Sequence, residues 1–539
     1  MIRLSNIKIP LSYNDDALVK AAAKQLRVDK SAVKTASLYR RSIDARKKDN
    51  IFFLCTLDVE LNTNEDKLLR KAKNAAKVAP YSYSAPKWSG GARPLVVGMG
   101  PAGLFAALIL AQSGADPIVI ERGRDVDRRT EDVNLFWKSG QLNVASNVQF
   151  GEGGAGAFSD GKLTTGTKDH RQRKVLEEFV RHGAPEEILY NAKPHIGTDK
   201  LKPTVKQLRE EIIRLGGSVL FETKLTGFTV KDGAICAAEI ERDGKTELIE
   251  TDNIILAIGH SARDTLKMLE EKKLPMEAKP FSVGARIEHL REKIDKAQYG
   301  SFANHKNLGA AVYKLSARLK NGRGVYTFCM CPGGTVVNAS SESGMLCTNG
   351  MSEFARNEIN SNSALLVSVA PDDYGSDKPL AGMEFQRRLE KAAFDLGGKS
   401  YRAPAQRLCD FVANRKTTAF GEVSPSIKPG FTACDLNELL PDFISSSMKE
   451  GVAAMGKMLN GFDDGDAVLT GIEARSSSPV RIMRSPETLE SVGVRGLYPC
   501  GEGAGYAGGI ISAAVDGIKC AEMILLKNQK LTMIGSCLT

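Results

Sequence analysis

The chain has 539 residues, 42% hydrophobic and 26% charged, the balance of a soluble globular protein with room for roughly two to four domains. No apolar run of about 18 residues occurs, which argues against a membrane-spanning helix. Ten cysteines without a regular framework, and an alternating start (Met1–Pro10) in place of a secretory leader, point to the reducing cytoplasm. The net charge of +10 is unevenly spread. Residues 1–93 hold 19 Lys/Arg against 9 Asp/Glu, a balance of +10, so the remaining 446 residues are neutral together.

Residues 1–85 read as a small basic α/β module. Ile2–Ile9 alternates like a strand, Asp15–Leu26 has helical spacing, and Lys34–Ile43 is extended. Asn50–Leu61 is a strand and Glu65–Val78 an amphipathic, basic helix. Tyr81–Pro94, rich in Ser, Pro and Gly, is a linker. Beyond it the pattern predicts a Rossmann-type domain (94–280), an inserted mixed α+β substrate domain (281–475) and a return to the first domain (476–539). Strands are expected at Ser218–Phe221 and Asn253–Ile258. Antiparallel strands are expected over Tyr313–Asn338, turning at Asn321-Gly322 and Pro332-Gly333-Gly334, and helices near Ser352–Asn360, Gly382–Asp395 and Ser446–Leu459.

The first informative motif is Gly98-Met-Gly100-Pro-Ala-Gly103, between an apolar strand and an apolar helix. Gly98 permits a tight turn. Gly100 lets a pyrophosphate approach the backbone, and Gly103 lets the helix lie against the strand. The helix start offers free N–H groups to phosphate. Glu121 closes the next strand, where a carboxylate meets ribose hydroxyls and favours FAD or NAD over NADP. Near the end, Tyr498-Pro-Cys500-Gly-Glu502-Gly-Ala-Gly505-Tyr-Ala-Gly508-Gly-Ile510 places an acid on a second glycine loop before a small-residue helix. That loop suits the ribityl chain and pyrimidine edge of a flavin. Between the two, Thr251–Gly259 is a strand closing on Ala257-Ile-Gly259.

These three segments resemble the glutathione-reductase-type FAD superfamily. The chain is more closely similar to the bacterial FAD-dependent dehydrogenase family through Gly98–Gly103 with Glu121, the Gly153–Leu163 loop, Phe281–His289 and Tyr498–Gly509. The resemblance implies tightly bound FAD and an oxidoreductase, and supplies no substrate. Glu502 departs from the Asp usual in the wider superfamily. The cofactor set on this reading is Gly98, Gly100, Pro101, Ala102, Gly103, Glu121, Arg122, Ser159, Gly161, Lys162, Leu163, Leu225, Ala257, Gly259, Gly501, Glu502, Gly508, Gly509 and Ile510.

Beyond the cofactor, residues 150–165 either pass beneath it, with Ser159 and Lys162 as donors, or form a solvated loop. Arg286 and His289, with Glu288, either line the substrate cavity as carboxylate ligand and proton carrier, or form an Arg–Glu pair with an edge histidine. His260 reads equally as acid–base or cap. Arg475 and Arg481 read as anion ligands or as surface partners. Cys329 and Cys331 are strand residues on one face, and Cys500 is a small buried residue. The flavin disulfide reductases' CxxxxC is missing after the first glycine helix, and so is a second full GxGxxG. NADH or NADPH as electron donor stays open, bound through the substrate domain. The expected function is FAD-dependent oxidation or reduction of a small organic substrate. The alternative is a flavoprotein binding RNA or another polyanion through its basic N-terminal module, residues 1–93, whose run Tyr39–Lys48 is rich in cations. Oligomeric state is not legible in the chain.

Overall fold

Apolar alternation decides the N-terminal sheet. Ile2, Leu4, Ile7 and Ile9 are all buried although their numbering changes phase. The register against the neighbouring strand shifts between Leu4 and Ile7, where Asn6 adopts φ 61°, and this bulge returns both halves to one face. The structure is a computed structural model describing residues 1–69 and 72–538. Its first sheet runs Val33–Asp44, Phe52–Leu61, Ile2–Ile9, Ala75–Lys77, all antiparallel. The helix Asp15–Leu26 covers it with Leu18, Ala22, Ala23 and Leu26, and Asn14 caps that helix by accepting from Ala17 N–H.

The expected helix over Glu65–Val78 is corrected. Helix spans only Glu65–Leu69, and Ala75–Lys77 is an edge strand paired with Ile2–Leu4. The open N–H and C=O groups of that sheet edge outcompete a short basic helix. Arg70 and Lys71, in the middle of the expected helix, lie outside the described residues.

The second sheet is parallel, in the order Leu497–Pro499, Ile254–Leu256, Leu95–Val97, Ile118–Ile120, Ser218–Leu220. Adjacent strands from opposite ends of the chain make it one doubly wound sheet. The helices Pro101–Gln112 and Ile510–Leu538 pack together over it. An antiparallel sheet of Thr223–Lys231, Ala234–Arg242 and Lys245–Glu250 branches from one side.

The inserted region builds a seven-stranded sheet in the order Ser316–Arg318, Gly324–Cys331, Asn360–Val369, Phe281–Leu290, Val468–Glu473, Ala403–Arg407, Phe431–Ala433. The expected helix at Ser352–Asn360 is absent there. Asp160 binds Ser352 Oγ and takes both Arg356 Nε (2.9 Å) and Nη2 (2.6 Å), holding Arg356 at φ 51°, outside helical geometry.

The N-terminal module is docked against the rest. Its buried apolar residues join the cluster under the seven-stranded sheet. Arg41 N–H donates to Tyr190 O (2.7 Å) and Ala192 N–H to Arg41 O (2.8 Å), while the Arg41 guanidinium reaches Asn191 Oδ1. The basic run thus spends one cation on docking and another on the Asp44–Arg46 pair. Arg41→Ala should destabilise the fold by about 1–3 kcal/mol, the range for losing charge-assisted hydrogen bonds. Urea unfolding reads the loss, and faster limited proteolysis within residues 78–93 reports the loosened module.

Candidate functional site

Three distant segments meet where side chains are missing. Gly98 leaves the Leu95–Val97 strand at φ 97°, and a Cβ there would fall on the Ala257 carbonyl oxygen. A Cβ at Gly103 would fall on the Gly98 carbonyl oxygen, so the helix lies directly against the turn. Gly100 differs, since its nearest neighbour would be Gly154 Cα at 3.8 Å. Nothing in the protein fold forbids a side chain at Gly100. The N–H groups of Gly100, Ala102 and Gly103 meet no acceptor among the described residues. Ala102–Ala111 is buried throughout, which fixes the direction in which this helix start points.

Glu121 is 6% exposed and does more than end a strand. One of its oxygens accepts from Met99 N–H (2.8 Å), the other from Gly123 (2.9 Å) and Gly151 (3.0 Å) N–H. Three of its roughly four acceptor positions are filled by backbone. The carboxylate clamps the first glycine turn to the loop at residue 151, leaving about one lone pair for a hydroxyl.

The second glycine loop arrives beside the first. A Cβ at Gly517 would fall on Ala102 O, and one at Gly501 would crowd Ala102 Cβ at 2.8 Å. Gly508 and Gly509 are exposed, with open space before them, and introduce the helix starting at Ile510. Ile510 and Pro101 both face Gly156 across a narrow cleft that Leu104, Gly153 and Phe179 also line. Gly259 is likewise open, and Ala257 and Leu163 are buried nearby in one cluster. His260 Nδ1 stands 3.4 Å from Glu502, and its buried Nε2 has no partner.

Residues 150–162 are not a solvated loop. Gly154–Phe158 is a 3-10 turn with Ala157 and Phe158 buried. Arg129, fully buried, donates to the carbonyls of Asn147, Val148, Glu152 and Gly154, and burial pulls it down to about 10. The sequence carried a signal for this residue. Arg129 falls on the helical face of Val126, Val133 and Phe136, a charged residue at an apolar position. Ser159 Oγ turns inward, donating to Gly156 O and accepting from Gly161 N–H. Lys162 Nζ lies 3.4 Å from Asp160 and is buried without a hydrogen-bond partner.

Several expected site residues are engaged elsewhere. Arg286, 0% exposed, pairs with Glu473 (3.1 Å) and Asn362, while Glu288, the expected partner, accepts from Asn360 and Ser426. His289 is a core residue, not an edge one. Its Nε2–H donates to Phe462 O at 2.8 Å, and burial pushes it down to about 4. Arg475 is buried with Arg263 around Glu390, which the two guanidiniums hold at about 2 against its burial. Arg481 pairs with Glu277. Leu225 lies in the core beside the branching sheet, and Arg122 binds Asp264 and Thr265 while covering the Phe150 ring. Charged residues on central strands must be paired when both faces are covered, which period-two alternation alone does not reveal.

Residues 280–476 match the family described as FAD-dependent protein, C-terminal domain-like, and residues 1–60 match a domain of unknown function. An uncharacterized protein of Clostridium beijerinckii is 50% identical over 535 residues, covering 98% of this chain and 99% of its own. Solved structures similar to the chain include a geranylgeranyl bacteriochlorophyll reductase-like protein of Thermoplasma acidophilum (13% identity, TM-score 0.34, covering 81% of this chain and 82% of that one). A glycerol-3-phosphate dehydrogenase of Bacillus halodurans complexed with FAD is 12% identical, with TM-score 0.35 over 82% of this chain and 66% of its own.

Two outcomes follow from the buried groups. In Glu121→Gln, an amide NH2 must face backbone N–H on one side, leaving buried donors opposed. Unfolding free energy should fall by about 1–3 kcal/mol, measured on ligand-free protein by denaturant titration. His289 and His195 are both pushed down by burial to about 4, below the ordinary 6.5. The folded state resists protonating them, so their contribution is complete above pH 6.5 and disappears as pH falls toward about 4. For His289 the full loss is on the order of 3 kcal/mol. His289→Gln keeps a donor for Phe462 O and should flatten the stability curve across that window.

Proposed function

Because the chain belongs to a family of FAD-dependent proteins, we propose that it is an oxidoreductase that exchanges a hydride or an electron pair with a small organic substrate. Within that family we place it with the bacterial FAD-dependent dehydrogenases of the glutathione-reductase type. The observation that carries the reading is the close approach of two helix starts, at Pro101 and Ile510, on either side of the Gly153–Gly156 backbone, with open space at Gly508 and Gly509. When bound, FAD supplies the two-electron chemistry, and the protein supplies orientation and electrostatics.

The residues present fit that cofactor. Gly100, Gly259, Gly508 and Gly509 leave room for close approach, and His260 Nε2 is a buried polar atom still without a partner. The unpaired N–H groups from Gly100 to Gly103 would hold the pyrophosphate, and the remaining Glu121 lone pair a ribose hydroxyl. Glu502, steadied by His260, would take the ribityl hydroxyls, and the start of the Ile510 helix would stabilise negative charge at the pyrimidine edge. Ser159 Oγ and the Arg122 guanidinium are bonded within the protein, to Gly156 O and to Asp264 and Thr265.

Purified protein should show the visible absorption of oxidised flavin, and a folded protein that stays colourless with added FAD would end the reading. Gly100→Ala separates ligand from fold. Its Cβ meets nothing in the protein nearer than 3.8 Å, so the melting temperature of the ligand-free protein should hold. FAD affinity by titration should fall by roughly tenfold or more, about 1.4 kcal/mol. Unchanged affinity would place the pyrophosphate elsewhere.

A further inference from the structure

Cys329 and Cys331 occupy a break in their strand. The register of Gly324–Cys331 against Asn360–Val369 shifts between Phe328 and Cys331, and Cys329 sits at φ 41°. An L side chain in that region is strained and persists only where its surroundings impose it. The bulge makes the two cysteines unequal. Cys329 is half-buried, whereas Cys331 is fully buried, its Sγ 3.2 Å from the Cys329 carbonyl oxygen.

The surroundings are cationic and incompletely satisfied. Arg286 Nη2 donates to Cys329 O (2.9 Å) and stands 3.7 Å from Cys331 Sγ. The buried Lys162 Nζ has no hydrogen-bond partner among the described residues, and its charge favours the ionised form of both thiols. Asn362, directly opposite Cys331 in the sheet and 0% exposed, leaves its Nδ2 unpartnered. The remaining titratable groups that act on the pair are Asp160 from the glycine loop, Glu473 from the Val468–Glu473 strand, and Tyr313.

We propose that Cys329 and Cys331 are a dithiol–disulfide couple that exchanges with small organic disulfides. The Cys331 thiol and the two cations favour a thiolate on Cys329, holding it down to about 5, while burial and the neighbouring sulfur push Cys331 up. That polarity assigns the roles. The Cys329 thiolate attacks one sulfur of R–S–S–R, the S–S bond breaks and RS− leaves, giving a mixed disulfide. Cys331 then loses its proton and attacks Cys329 Sγ, expelling the second RS−. The balance is one organic disulfide reduced to two thiols and one protein dithiol oxidised to a disulfide, with the Cys331 proton ending on a released thiol. The exchange needs no flavin, so the proposal does not rest on the flavin reading.

The experiment uses the full chain, reduced and then treated without oxygen, with peptide mapping to separate these cysteines from exposed Cys236. Iodoacetamide at about pH 6 should modify Cys329 ahead of every other cysteine. Glutathione disulfide should yield an internal Cys329–Cys331 bond. Cys331→Ser should stop at the glutathione adduct on Cys329, and Lys162→Met should raise the pH midpoint of alkylation. A wild-type map lacking the internal bond, or Cys329 reacting only above about pH 8 as an ordinary thiol does, would overturn the proposal.

Discussion

Backbone packed directly against backbone is the constraint on which the rest depends. Gly98 against Ala257, Gly103 against Gly98, Gly503 against Gly259 and Gly517 against Ala102 leave no space for a Cβ at any of the four glycines. Segments from the start, middle and end of the doubly wound region are locked at van der Waals distance there. The Pro101 and Ile510 helices consequently begin close together, the Pro101 and Ile510 side chains both lying against Gly156. A single methyl at one of these contacts would separate the strands and displace a helix start. Gly508 and Gly509 are glycines of another kind, with open space before them, and a Cβ at Gly100 would make only an ordinary contact with Gly154 Cα.

Buried charge does the positioning that apolar packing cannot. A buried ion pair contributes little net stability, because desolvation offsets the attraction, but removing one partner costs about 3–5 kcal/mol. Arg286 with Glu473, and Arg263 and Arg475 on Glu390, therefore fix strands and helices in one arrangement. Arg129 does the same without a carboxylate partner among the described residues, backbone carbonyls replacing its hydration. Apart from Arg263 Nε, these guanidiniums are committed to partners inside the protein.

The sequence exposed whatever follows from local pattern. The glycine spacing at 98–103, the parallel strands and the helices near 382–395 and 446–459 each carry their cause within a few residues. What failed depended on partners far along the chain. Residues 352–360 look helical until Asp160 binds Ser352 and Arg356, and Ala75–Lys77 looks helical until Ile2–Leu4 offers an open sheet edge. Arg286 and His289 alternate as on a half-exposed strand, but neighbouring strands on both sides and covering helices bury them completely. Glu121 was visible as an acid at the right spacing, while its three backbone donors, one of them at Gly151, were not.

The loop at 150–162 joins these themes. At its start, Glu121 and Arg129 tie it to the parallel sheet. At its end, Asp160, held at about 2 by Lys162 and Arg356 despite its burial, ties it to the seven-stranded region. The relation between the two sheets is thus set by directional, charge-assisted bonds at both ends of one short segment, which fix orientation more tightly than apolar contact does. Lys162 lies at that second anchor, so whatever changes its charge balance acts on the junction itself. A loop stiffened this way can hold a ligand at one end and a reactive side chain at the other in constant register. That register is what two-electron chemistry between a bound cofactor and a bound substrate requires.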